Sequence, residues 1–367
     1  MAPNRDGVRK RKDDGKSGGA ISKEEVRARG TGVHSEVDDF LAGHAFSETR
    51  VFLTGLMFLT RLPCPGWVDH HPAYFMRSLA YFPLFGLIVG LWAAVFYDAL
   101  DMLWSTEVAA ILSTLSSVWL TGCFHEDGLG DTFDGFGGGW SKAEILHIMK
   151  DSRVGTYGAM GMIIFGLLKF RLLAELGVEP TDWAAGTGAG PALVAAHSIA
   201  RATSAPLVFC YEFVQDDEDA KGSVYNWFAQ SRRLLGPWRT MVSCILAAAI
   251  TFSTLPQDKA FLSLGVGIVA SWLAGAYGRH VIGGVMGDFL GCTIAVTECL
   301  VYMALLADFQ GVVTAASAAA DTPQDNGMWG GWGGWLVALR PVLVLLGTAT
   351  IPVIYMRSII AEGGNKC

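Results

Sequence analysis

Apolar runs about as long as a bilayer is thick recur along this chain, and they leave little choice of fold. A membrane-spanning helix needs about 20 mostly apolar residues. Eight runs meet that need, at roughly 79–100, 104–123, 157–176, 184–210, 238–256, 260–278, 289–307 and 335–356. Of the 367 residues, 51% are hydrophobic and only 17% charged, with a mean hydropathy of +0.37. Soluble domains carry about 25% charged residues, so too few polar side chains remain to coat a globule of this size. The expectation is an all-α fold: a polytopic integral membrane bundle of about eight transmembrane helices. A further run, Val51 to Thr60, ends at Arg61-Leu62-Pro63-Cys64-Pro65. It is short for a span and stopped by two prolines, which predicts an N-terminal re-entrant or interfacial helix.

Charge placement orients the bundle. One set of connections holds Arg61, Arg77, Lys142, Lys150, Arg153, Lys221, Arg232, Arg233, Arg239, Arg279 and Arg357. The other holds Asp101, Glu107, Glu179, Asp182, Asp258, Asp308, Asp321 and Asp325, with Lys259 its one cation. The basic set is expected on the cytoplasmic or equivalent side; which membrane hosts the protein is left open. Residues 1–45 read as a disordered basic tail, 46–360 as the membrane-embedded domain with a Gly/Trp-rich loop at 318–335, and 361–367 as a C-terminal tail. A net charge of −7 argues against a nucleic-acid partner. Seven cysteines without a C-x-x-C pair argue against a disulfide framework or thiolate zinc site. No residue pattern specifies a homo-oligomer.

The polar interruption from Gly122 to Gly139 follows a span directly on the basic side and contains Asp127, Asp131 and Asp134. Their i, i+4, i+7 spacing places three carboxylates along one face of a helix. Neighbours about 5–6 Å apart repel by about 3 kcal/mol at an effective dielectric of about 20. A hard divalent cation such as Mg²⁺ relieves that repulsion and takes oxygen ligands. The glycines at 128, 130, 135 and 137–139 are expected to let a bulky phosphorylated ligand approach. The bland alternative is a solvated acidic loop. His125 and Glu126 immediately precede the triplet.

Two more polar knots lie on the same side. Met149 to Gly158 contains Lys150 and Arg153, suited to phosphate, and Asp151, suited to a metal shell. Alternatively, these cations simply mark a helix end. Arg279 to Gly291 contains Arg279, Gly283, Gly284 and Gly287, whose backbone suits phosphate, and Asp288. Asp288 reads as an N-cap, a further metal ligand or a base. His197 and Arg201, i and i+4 within an apolar segment, either contact substrate or join helices. Lys169 and Arg171 are expected to snorkel, and Arg61 to bind an anion or set topology.

Taken in order, these elements resemble those of the adenosylcobinamide-GDP ribazoletransferase (cobalamin synthase) family. They are Leu59-Thr60-Arg61-Leu62-Pro63, the F-P-L-x-G-x-x-x-G element from Phe82 to Gly90, and the signature from His125 to Gly138. The M-K-D-S-R-x-G-x-x-G run from Met149 to Gly158 and G-G-x-x-G-D-x-x-G from Gly283 to Gly291 complete the set. Glu126 stands where an apolar residue is usual, Met286 where Thr is frequent and Cys292 where a small residue such as Ala is common. The resemblance implies a Mg²⁺-dependent transferase with Asp127, Asp131, Asp134 and Asp288 as metal ligands, and Asp288, His125 and Glu126 as acid/base candidates. Lys150, Asp151, Arg153, Arg61, Arg279 and the three glycines would bind substrate. Adenosylcobinamide-GDP and α-ribazole, or its 5′-phosphate, would give adenosylcobalamin, or its 5′-phosphate, and GMP.

Two rivals remain at this stage. Asp131-Thr132-Phe133-Asp134-Gly135 matches the opening of the CDP-alcohol phosphotransferase signature, but Gly138 and Gly139 replace the Ala-Arg that follows there. An ion-coupled transporter would place acidic residues near the bilayer midplane and show an internal repeat; the sequence contains no such repeat.

Overall fold

The computed structural model describes residues 46–68, 71–214, 227–228 and 230–307. The expected tails, the Gly/Trp loop and the run at 335–356 lie outside them. The described residues up to Tyr302 form one compact unit, and the site lies wholly within it. Regular structure among the described residues is helical, with isolated bridges at Asp182–Thr187 and Phe213–Val285.

The helices are α1 (Glu48–Leu59), α2 (Pro72–Ser78), α3 (Phe82–Asp101), α4 (Thr106–Thr121), α5 (Phe124–Gly138) and α6 (Lys142–Met149). They continue as α7 (Thr156–Leu176), α8 (Ala189–Ala202), α9 (Ser204–Cys210), α10 (Ser231–Thr254), α11 (Gln257–Val281) and α12 (Gly287–Leu306). Each expected run up to residue 307 falls on helix, but the count of eight spans is not reproduced. Among the described residues, five stretches are long and apolar enough to cross: Pro72–Asp101, Ala189–Cys210, Ser231–Thr254, Gln257–Val281 and Gly287–Leu306. A sixth exists if α4 and α5, bent by 90°, count as one broken span. The physical reasons are local. Alone, α4 has only 16 residues, about 24 Å of helix against a core of about 30 Å. The apolar run of α7 is interrupted by Lys169 and Arg171. The 12 residues of α1 stop at the extended Thr60, so the short N-terminal helix is present.

Glycine decides the central packing. In α3, a Cβ on Gly86 would lie 2.3 Å from the His197 carbonyl oxygen, and one on Gly90 would lie 2.7 Å from the Val194 Cα. This small-xxx-small face lets α3 touch the backbone of α8, whose residues from Ala189 to Arg201 are all buried. Between α4 and α5, Gly122 (φ 69°) and Cys123 (φ 62°) adopt left-handed backbone. That pair turns the chain by 90° into the acidic helix α5; a non-glycine residue such as Cys123 is strained in that conformation.

Candidate active site

The acidic knot does form a helix, and α5 carries its carboxylates into three different environments. Asp127 is exposed, Asp131 half-buried and Asp134 buried. Asp134 accepts hydrogen bonds from the Gly155 amide at 2.7 Å and the Gly158 amide at 2.8 Å. Gly155 is the N-cap of α7 and has no side chain to cap with, so Asp134 supplies that function from another helix. A Cβ on Gly158 would lie 2.3 Å from Asp134 Oδ2, which explains glycine there. Expected as a metal ligand, Asp134 is thus occupied in joining α5 to α7.

The side-chain carboxylates of Asp127, Asp131 and, from α12, Asp288 make no hydrogen bond or ion pair among the described residues. Asp131 lies within electrostatic reach of Asp127, Asp288 and Asp134, and Asp288 within reach of Asp127. The approach is close because a Cβ on Gly128 would lie 2.5 Å from the Asp288 carbonyl oxygen. Asp288 sits inside the first turn of α12 rather than at an N-cap. The donor chemistry, all hard oxygen with unrelieved like charge, fits a hard cation. Among the described residues, no three Asp, Glu, His or Cys side chains already converge as a ligand set.

The other glycines of α5 serve helix packing rather than ligand approach. Gly130 faces Met162, Gly135 faces Met149, and Gly137 faces Tyr157. Gly283 (φ 87°) lies beside Lys142, and Gly284 is pressed against the Glu212 carbonyl; only Gly287 faces open space.

Asp151 and Arg153 form an exposed pair at the surface, with Arg153 Nε 2.9 Å from Asp151 Oδ1. That guanidinium holds the Asp151 carboxyl down at about 2. The pair leaves the Arg153 side chain 87% exposed, so neither residue joins the carboxylate cluster here. Arg61 lies against the α4–α5 turn, with its amide 2.8 Å from the Leu120 carbonyl. Arg279 is exposed in the last turn of α11. His125, Lys150, Gly287 and Asp288 do come together, lining one cavity of about 290 Å³.

A buried ionic cluster lies among α7, α8 and α12. Glu298 Oε2 is 2.7 Å from Lys169 Nζ, and its Oε1 is 2.7 Å from His197 Nδ1 and 2.8 Å from an Arg201 nitrogen. Lys169 therefore does not snorkel, because an anion meets it inside. Glu126, whose Oε2 is buried without a partner, lies within electrostatic reach of Lys169. Glu298 itself is a residue that sequence reasoning missed; a carboxylate within an apolar run was signal enough.

Comparison with known proteins places this geometry. The model of the cobalamin-5-phosphate synthase family matches residues 51–306. The chain belongs to that family. An adenosylcobinamide-GDP ribazoletransferase of Shewanella baltica (strain OS185) is 37% identical over 261 residues, 71% of this chain and 94% of the relative. The protein of that name from Shewanella amazonensis is 38% identical, covering 71% of this chain and 95% of the relative. No solved structure matches the chain. The family match spans α1 to α12, so the cavity and the carboxylate cluster both lie within the family's shared region.

Proposed function

We propose that this membrane protein joins adenosylcobinamide-GDP to α-ribazole, or its 5′-phosphate, giving adenosylcobalamin, or its 5′-phosphate, and GMP. The observation that carries this reading is that Asp288 lines a cavity with His125 and Lys150 while lying within electrostatic reach of Asp127 and Asp131. A ribose hydroxyl attacks the phosphorus nearer the cobinamide. A new P–O bond forms, the P–O bond to GMP breaks, and the hydroxyl proton passes to a base. Such a reaction needs alignment and charge neutralisation more than covalent help.

Asp127, Asp131 and Asp288 would hold Mg²⁺, which when bound neutralises pyrophosphate oxygens. Asp134 fixes the helix that presents them. Asp288 and His125 both line this cavity, and a hydroxyl bound there could pass its proton to either. Glu126, drawn towards Lys169, is the weaker acid/base candidate. Lys150 at the same cavity supplies a cation for phosphate, and Arg153 a second from the surface. The site is assigned to the basic, cytoplasmic-equivalent side of the bilayer.

The test is GMP release by membranes containing the protein, supplied with both substrates at graded Mg²⁺. Mg²⁺-dependent GMP formation supports the reading. CMP formation from a CDP-lipid without GMP release would transfer it to the CDP-alcohol phosphotransferases.

A further inference from the structure

The cavity beside Asp288 combines aromatic and polar lining. Its walls are aromatic: Phe58 and Phe75 lie 4.0 Å apart between ring centroids, Phe124 meets Phe58 edge-on at 5.0 Å, and Phe213 stacks on Phe228 at 5.3 Å. Its polar lining is His125, Lys150, Ser204 and Asp288. Two of these are orphans. Ser204 is 1% exposed and His125 3% exposed, yet Ser204 Oγ and His125 Nε2 have no hydrogen-bond partner. Buried polar atoms without partners are destabilising, and a ligand in the cavity would satisfy both.

Resting on the transferase reading above, we propose that this cavity is the subsite for the flat aromatic base of α-ribazole. Ser204 donates a hydrogen bond to the unsubstituted ring nitrogen, and the ribose lies between His125 and Asp288. Volume separates the two substrates. At about 290 Å³ the cavity is at the small end of ligand pockets. It admits a two-ring base and excludes a corrin macrocycle with its amide arms. The corrinoid must therefore approach from the open side, where Asp127 and Asp131 stand. A planar base between phenyl rings gains both apolar burial and offset stacking.

Free benzimidazole and indole are the probes, since indole has the same shape but lacks the acceptor nitrogen. In the wild-type protein, benzimidazole should compete with α-ribazole and not with adenosylcobinamide-GDP, and should bind better than indole. Ser204→Ala should abolish that preference. Phe75→Trp, which fills the cavity, should raise KM for α-ribazole about tenfold and leave KM for the corrinoid within about twofold. Should Phe75→Trp not fold, Ser204→Ala still decides. Turnover by the wild type without competition by benzimidazole, or with equal rises in both KM values, would overturn the subsite while sparing the transferase. An absence of any wild-type turnover would remove the transferase reading, and direct benzimidazole binding would then still judge the cavity. An acyl chain as the natural occupant would show as benzimidazole displaced by added lipid with no effect of Ser204→Ala.

Discussion

Lys169 and Glu298 face one another across α7 and α12, 2.7 Å apart and both buried. The same carboxylate also receives His197 and Arg201, so one anion holds three helices together where lipid would otherwise forbid charge.

Glu298→Gln should therefore destabilise the protein strongly, because it leaves two buried cations facing a neutral amide. Breaking a buried pair costs about 3–5 kcal/mol. The check is the thermal midpoint in detergent, together with the Glu298→Gln/Lys169→Met double variant. The double variant should recover part of the loss, since it removes one of the stranded charges. No recovery would mean that Lys169 and Glu298 act independently.

Asp134→Ala should loosen the start of α7. Loss of a helix cap costs about 0.5–2 kcal/mol, and two amides are orphaned here. Hydrogen exchange at residues 155–158 should accelerate. Turnover should fall with little change in the Mg²⁺ concentration giving half-activity; a large shift in that concentration would make Asp134 a ligand.

Arg153→Ala should raise KM for adenosylcobinamide-GDP about tenfold, or about 1.4 kcal/mol, and spare α-ribazole. In the resting structure Asp151 engages Nε and Nη2 of Arg153, leaving Nη1 for phosphate. The Asp151 carboxyl is lowered from 3.8 to about 2 by hydrogen bonds from Arg153. A depressed value means that the pair is fully formed above the ordinary carboxylate range and is lost only as pH falls through about 2. The effect of Arg153→Ala should hence be constant across neutral pH. Equal KM changes for both substrates would remove the phosphate role.

Much of this was legible in the sequence, and the exceptions have physical causes. Apolar runs located the helices because lipid forces backbone hydrogen bonds to close within each segment. The i, i+4, i+7 aspartates announced a helix, and α5 is one. Periodicity says which residues share a face, however, and not what that face meets. Asp134 meets the amides of α7, and the glycines of α5 meet Met149, Tyr157 and Met162. Span counting missed the 90° bend at Gly122–Cys123, since left-handed backbone leaves no hydropathy signal. Lys169 looked peripheral because its partner Glu298 is distant in sequence. The aromatic cavity draws on α1, α2, α3, α5, α6, α9 and α12, an assembly that no local pattern contains.

The central proposal is that Asp127, Asp131 and Asp288 together hold one or two divalent cations beside the pyrophosphate. Its most direct test is GMP release by Asp131→Asn across a Mg²⁺ titration, with membrane insertion checked in parallel. The prediction is an inserted protein with turnover reduced about a hundredfold or more, partly recovered as Mg²⁺ rises. Wild-type turnover at the wild-type Mg²⁺ requirement would contradict it.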